Sequence, residues 1–267
     1  INWNNKASNM QEISKELNIG LDSFVFFDDD PINRELIRES MPEITTPELP
    51  HDPSLYSEVI QSLHDFSTFQ ITSEDTNRGK MYLEQKQRIE SQNSISDISE
   101  FLKKLNLEIE IKKTNSFTIP RISQLTLKTN QFNLTTKRYH EDQIKKFSED
   151  KNILIGCAQI RDKFGDNGIT GVFIVEKTNS DEWFLDTFLL SCRVMGREAE
   201  KAILYFIINE AKNNNIKRLK AKFIPTEKNK PIENFLPDCQ FYKKDGIWIY
   251  NLDKPFNMPD FLTLSEE

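Results

Sequence analysis

A strand, a turn and a helix in direct succession between residues 183 and 212 constrain this chain more than any other feature. Trp183 to Leu190 is an apolar run of strand length. Ser191-Cys192-Arg193-Val194-Met195-Gly196-Arg197-Glu198 follows it. From about Glu198 to Lys212, the residues Ala199, Ile203, Phe206, Ile207 and Ala211 recur on one helical stripe. An Arg-x-x-Gly turn that opens such a helix offers free backbone N–H groups at the positive end of the helix dipole. Arg193, Gly196 and Arg197 are therefore candidates to hold an anionic or thioester ligand. A helix start beside an arginine also favours the thiolate of Cys192, a candidate nucleophile. The plain alternatives are a capped helix whose arginines make structural ion pairs, and a cysteine that is only a small buried hydrophobe.

Around this unit the spacing predicts a mixed α and β region. Ile98 to Leu105 reads as a short helix, Leu107 to Lys113 as a strand and Arg121 to Lys128 as a helix. Ile153 to Arg161 and Gly171 to Lys177 precede the 183–190 strand as two more strands, with Asp166-Asn167-Gly168 as the turn signal between them. Arg218 to Ile224 is a strand, Ile232 to Leu236 a short helix, and Phe241 to Leu252 a strand pair around Asp245-Gly246. Leu134 to Tyr139 is polar and irregular. The run from Lys128 to Arg138, with Asn130, Gln131 and Asn133, has enough amides, hydroxyls and cations to wall a polar acyl group, or to be a solvated loop. Asp162, Asp166 and Asn167 read as turn residues, with Asp162 alternatively facing the same cleft. Asp186, mid-strand, is a candidate general base if it points inward.

The first part of the chain reads as helix, strand, helix. Ser8 to Leu17 is helical, Phe24-Val25-Phe26-Phe27 has the continuous apolar character of a buried parallel strand, and Pro31 with Asp30 as cap opens a helix to about Ser40. Asp28 and Asp29 lie at the carboxyl end of that strand, where α/β sheets bind ligands, and a carboxylate pair there suits Mg²⁺. Lys6 is placed to reach a phosphate. The competing reading is a set of acids capping the next helix. Residues 54–66 look helical. The polar stretch from Ser73 to Asn93, with Met81, Tyr82, Gln85 and Ile89, fits a long, partly exposed linker helix. It sets the expected domains at 1–90 and 91–267.

The net charge of -7 argues against a general nucleic-acid binder. Three scattered cysteines form neither a disulfide framework nor a zinc site and point to a reducing, cytoplasmic setting. No apolar run approaches the length of a membrane span. The chain opens at Ile1, as a piece of a longer protein would, and its first residues lack the apolar stretch of a signal peptide.

Asn2-Trp3-Asn4-Asn5-Lys6, together with Leu21-Asp22-Ser23-Phe24-Val25-Phe26-Phe27-Asp28-Asp29-Asp30-Pro31, resembles the last two motifs of the FkbH-like branch of the HAD phosphatases. The resemblance continues through Gln124 to Thr136, Asp162 to Gly168 and Ser191 to Arg197. It implies an α/β (α+β) chain: a partial HAD-type, Rossmann-like remnant followed by a GNAT-like mixed sheet flanked by helices. In that family the lysine stabilises a phosphorylated nucleophile and the acidic pair helps bind Mg²⁺. The family's Asp-x-Asp-x-Thr loop, which carries the nucleophile, is missing from this sequence, so the resemblance implies no phosphatase activity for it. A half-built sheet in residues 1–66 would also invite self-association.

The Arg193–Glu198 turn resembles the acyl-CoA-binding turn of GNAT acyltransferases, with Glu198 where a small residue is usual. That acid disfavours a pyrophosphate and leaves a phosphopantetheine arm as the easier ligand. Family members load a glyceryl unit from 1,3-bisphosphoglycerate onto the phosphopantetheine thiol of an acyl carrier protein. The resemblance thus implies an acyltransferase of polyketide-like biosynthesis, with a carrier protein and a small phosphorylated acyl donor as partners, phosphopantetheine or CoA as cofactor, and Cys192, Asp186 and Lys6 as reactive residues. The alternative is a non-catalytic GNAT-fold module that docks the carrier protein or acyl-CoA. A plain phosphatase and a plain acetyltransferase rank below both.

Overall fold

The computed structural model describes residues 4–17, 19–66, 76–93, 95 and 97–267. The chain forms two compact units, Ile1–Ile71 and Thr72–Glu267. Among the described residues, no helix is long and apolar enough to cross a membrane.

The first unit contains α1 (Lys6–Leu17), α2 (Pro31–Ser40) and α3 (Tyr56–Ser62). Asp30 caps α2 as its sequence predicts: its Oδ1 accepts the Ile32 N–H at 2.9 Å, and Pro31 takes the first position. Met10, Phe26, Ile37, Met41 and Ile44 form the core, which is small for a free-standing unit. The expected strand at 24–27 is reduced to one parallel bridge, Val25 to Thr45. Its ladder consists of Phe26 N–H to Thr45 O at 2.9 Å and Thr45 N–H to Phe24 O at 3.1 Å. A lone apolar run with one short neighbour has too few ladder bonds to extend further.

The second unit begins with α4 (Arg78–Asn93) and α5 (Ile98–Lys104). The sequence reading put the domain boundary near residue 90, whereas α4 lies within this second unit. Met81, Glu84 and Arg88 are its buried stripe. The unit continues through β1 (Leu107–Lys113), α6 (Ile119–Lys128), β2 (Phe132–Asn133), α7 (Glu141–Glu149), β3 (Ile153–Asp162), β4 (Gly165–Glu176) and β5 (Glu182–Leu190). It ends with α8 (Ala199–Asn213), β6 (Arg218–Ala221), α9 (Phe235–Asp238), β7 (Tyr242–Lys244), β8 (Ile247–Asn251) and β9 (Leu262–Glu266). Helix α7 and strand β9 have no counterpart in the sequence reading.

These strands make one mixed, mostly antiparallel sheet in the order β7-β8-β6-β5-β4-β3-β1-β9. Only β1–β9 and β5–β6 run parallel. The apolar stripe of α8 packs with Leu185, Phe188, Leu219 and Tyr250 in the larger core. Ile122 and Leu125 of α6 and Ile144 of α7 pack with Val172, Ile174 and Leu189 in a second cluster. The β3–β4 reversal falls at Lys163-Phe164, not at Asp166-Asn167-Gly168, which lies inside β4. Asp162 sets it: its Oδ1 accepts the N–H groups of Phe164 at 3.0 Å and Gly165 at 3.2 Å, an Asx-type turn.

Two irregularities shape β5. Its pairing with β4 slips between Ile174–Thr187 and Val175–Leu185, which leaves Asp186 as the extra residue of a bulge. Its pairing with β6 covers only Glu182 to Leu185. Beyond that point β2 takes over, opposite Leu189 and Leu190. Leu134 then bridges the gap, donating to Phe188 O at 3.1 Å and accepting from Ile224 N at 2.8 Å.

Candidate functional site

The bulge places Asp186 inside the second unit, with 2 % of its surface exposed. Its Oδ1 pairs with Lys137 Nζ. Its Oδ2 accepts from Tyr139 OH at 2.7 Å and from Thr187 Oγ1 at 2.9 Å. Thr135 Oγ1 donates to the Asp186 carbonyl at 2.9 Å. A buried carboxylate requires such donors, because an unpaired charge away from water is very costly. Burial, and then the Asp186 charge beside it, push the Tyr139 hydroxyl well above its ordinary value, so it remains a neutral donor. Asp186 thus points inward with donors on both oxygens, which describes a structural anchor for the 128–138 run.

At the end of β5, Cys192–Val194 forms a single 3₁₀ turn. Gly196 (φ 75°) and Glu198 (φ 63°) then take left-handed conformations that swing the chain into α8. The N–H groups of Gly196, Glu198 and Ala199 find no acceptor among the described residues. Gly196 is exposed, Glu198 half-buried and Ala199 fully buried. Two acids share the turn. Glu198 pairs with Lys201 at 2.9 Å. Glu200 holds its own N–H, and burial pushes its carboxyl up to about 7.

The arginines are placed differently from one another. Arg197 is buried, with Nη1 to Asp162 Oδ2 at 3.1 Å, Nη2 to Gln85 Oε1 at 2.8 Å and a further bond to the Arg193 carbonyl. Burial lowers its pKa to about 10. Arg193 is half-buried, with Nη1 against Met81 Sδ and Nε 3.4 Å from Ser191 Oγ. Helix α4 therefore lies over the turn. Cys192 is half-buried too. Burial pushes its thiol up, and the opposing pull of Arg193 and the local N–H groups is smaller. The thiolate expected from a helix start beside an arginine is therefore not the resting form. Cys157 and Cys239 are buried.

The 128–138 run turns most of its polar groups onto its own backbone. Asn133 is fully buried: its Oδ1 accepts from Thr136 N at 2.9 Å, and its Nδ2 donates to Thr129 O at 3.2 Å. Asn229 Nδ2 donates to the Asn133 carbonyl at 3.0 Å. Arg138 ties Asn130 Oδ1 to the carbonyls of Thr126 and Thr129. Gln131 is half-buried, and Lys137 is exposed. The segment acts as a strap fastened to β5, and only part of it is left to line a site.

In the first unit, Lys6 Nζ lies 3.3 Å from Asp28 Oδ2. Asp28 Oδ1 accepts from Asp30 N at 3.0 Å and Asn33 Nδ2 at 3.3 Å. Burial alone would raise the Asp28 carboxyl, but these donors outweigh it and hold it below the usual carboxylate range. Asp29 is exposed and contributes a carbonyl to Arg34 at 2.9 Å. Both Asp28 oxygens are thus already engaged. No group of three or more His, Cys, Asp or Glu residues that could hold a metal occurs among the described residues. The pair does not fit a Mg²⁺ site as it stands.

Sequence reasoning missed Arg88, whose guanidinium binds Asp162 through Nε at 2.6 Å and Nη2 at 2.8 Å. The 74 positions between them leave no local signal. It also missed Lys137 and Tyr139 as partners of Asp186. The mid-strand acid in an apolar run was the available clue, since such a group has to find cations or hydroxyls elsewhere in the chain.

No protein-family model matches the chain. No curated protein matches it either. Solved structures do. The N-terminal part of the protein BF1531 from Bacteroides fragilis, containing a phosphatase domain complexed with Mg, is 48% identical over 26% of this chain and 19% of its own, with a TM-score of 0.25. This chain therefore spans about a fifth of that one. The ribosomal-protein-S18-alanine N-acetyltransferase from Escherichia coli is 12% identical over 55% of this chain and 96% of its own, at a TM-score of 0.41. The PaiA N-acetyltransferase from Thermoplasma acidophilum, in complex with coenzyme A, gives 15%, 53%, 96% and 0.38 respectively. At TM-scores this low, none of the three fixes the chemistry of this chain.

Proposed function

We propose that the second unit is an acyltransferase module that holds an acyl group as a thioester and passes it to the phosphopantetheine thiol of an acyl carrier protein. The observation that carries this reading is the set of unpaired N–H groups at Gly196, Glu198 and Ala199, directly after Cys192 at the end of β5. Such amides suit a phosphodiester. Glu198 brings a negative charge to the same turn, which favours the single phosphate of a carrier arm over the pyrophosphate of CoA. In the transfer, the carrier thiol attacks the thioester carbonyl, the bond from that carbonyl to the Cys192 sulfur breaks, and the thiol proton goes to the departing sulfur. A thiol raised by burial leaves as a poor anion, so it departs protonated. Asp186, held by Lys137 and Tyr139 in the bulge, fixes the strap beside β5. The sequence resemblance supplies the glyceryl unit as the acyl group.

Intact-mass measurement of the chain after incubation with a glyceryl-charged carrier protein tests this. A glyceryl adduct that is lost in Cys192→Ala supports transfer, and an unmodified wild-type chain overturns it. A second reading, a non-catalytic docking module, is favoured by the strap: β2 and Leu134 already occupy the β5 edge that an extended ligand arm would pair with. Carrier binding without any adduct would select it.

A further inference from the structure

Several buried polar atoms have no hydrogen-bond partner among the described residues, Glu200 Oε2 just after the turn and Glu84 Oε2 on α4 included; two of them are uncharged and lie on β4, Thr170 Oγ1 and Asn167 Nδ2. Thr170 is fully buried, and Asn167 is 3 % exposed. Both belong to the first half of β4. Thr170 is the residue left over where the β3–β4 register slips between Ala158–Gly171 and Gln159–Ile169. Its carbonyl accepts the Ser191 N–H at 2.7 Å, which sets it across from the residue before Cys192. Asn167 approaches the other end of the same turn, with Oδ1 3.4 Å from Arg197 Nη1. An orphaned buried hydroxyl or amide is a standing cost that a valine or leucine would not incur, so a partner from outside the chain is the physical reason to keep one.

The chemistry of that partner follows from the neighbours. The nearby cation Arg197 is already committed to Asp162, Gln85 and a carbonyl, so no free charge invites an anion. A threonine hydroxyl both donates and accepts, and an amide N–H donates. Together they suit neutral oxygens. We infer that Thr170 and Asn167 are specificity-determining residues that read the hydroxyl groups of the acyl unit held next to Cys192. The inference rests on the acyl-transfer reading above and adds the residues that choose the acyl group.

The test compares S-(2,3-dihydroxypropionyl)- and S-propionyl-N-acetylcysteamine as acyl donors to the full chain, read by intact mass against time, with melting temperatures measured in parallel. The wild type should react with the dihydroxy donor faster by about tenfold or more. Thr170→Val should cut that preference at least about fivefold while leaving the melting temperature equal or higher, since it removes an unpaired hydroxyl. Thr170→Ser should keep the preference. A preference unchanged in Thr170→Val overturns the inference, as does a clearly lowered melting temperature, which would mean that the hydroxyl serves the fold. If the wild type is acylated by neither donor, the acyl-transfer reading itself fails, and this outcome is distinct from acylation without preference.

Discussion

The Arg88 guanidinium grips the Asp162 carboxylate in a two-point, side-on pair, and both side chains are almost wholly buried. Arg197 adds a third contact to the same carboxylate. One acid thereby fastens α4, closes the β3–β4 reversal and anchors the end of the Arg193–Arg197 turn. Such a hub is expensive to break from one side, because the remaining charge stays out of water. Arg88→Met should destabilise the second unit by about 3 kcal/mol. That corresponds to a fall in melting temperature of roughly 6–12 °C for a unit of this size. Circular dichroism melts of wild type and variant check it, and no measurable fall would show that the pair is not an anchor.

Gly165 leaves no room for a side chain. A Cβ built there would meet Glu84 Cδ at 2.1 Å and both Glu84 oxygens at 2.2 Å. Gly165→Ala should therefore force the flexible Glu84 carboxyl aside, at a modest cost on the order of 1 kcal/mol. Shortening Glu84 should relieve the clash, so Glu84→Ala combined with Gly165→Ala should lose less than the sum of the two single changes. Strict additivity in chemical denaturation would mean that the helix does not sit over this glycine.

Glu200 makes stability pH-dependent in an unusual direction for a carboxylate. Its pKa is raised from the ordinary 4.5 to about 7 in the folded chain. Between these values the folded chain keeps a proton that the unfolded chain has released, so stability falls as pH rises through the window and levels off above it. The loss is on the order of 2–3 kcal/mol. Glu200→Gln should remove this part of the slope and be the more stable protein at pH 8. Parallel melts from pH 5 to 8 measure it, and identical slopes would refute the assignment.

The three cysteines should react in a fixed order. Cys157 is fully buried, and burial pushes the Cys239 thiol up to about 12. Cys192 is half-buried with its thiol raised less severely, so iodoacetamide should modify it first, yet more slowly than a free thiol at neutral pH. Peptide mapping after timed alkylation reads the order. Rapid modification of Cys192 at pH 7 would restore the thiolate that its position beside Arg193 suggests.

The local features were legible in the sequence because their causes are local. Asp30-Pro31 starts a helix through contacts within two residues, and the strand pair around Asp245-Gly246 turns where its glycine lies. The stripe from Ala199 to Ala211 needs only helical periodicity, and all its members are buried. The site was half legible. The turn, Cys192 and Asp186 stood out by residue type, but their partners did not. Lys137 and Tyr139 reach Asp186 across nearly fifty positions, and Arg88 reaches Asp162 across 74. The misplaced β-turn shows the same limit. Asp166-Asn167-Gly168 has ideal turn chemistry, but the Asp162 carboxylate, positioned by distant arginines, reverses the chain three residues earlier.

The sheet order puts β7 at one rim and β9 at the other. β7 is only three residues long and carries Lys243 and Lys244. β9 is five residues long and carries Glu266. Charged side chains on such short rim segments give a neighbouring chain little backbone to zip onto and a heavily hydrated surface to strip first. Nine strands can thus share one continuous ladder without that ladder becoming a template for a fibre.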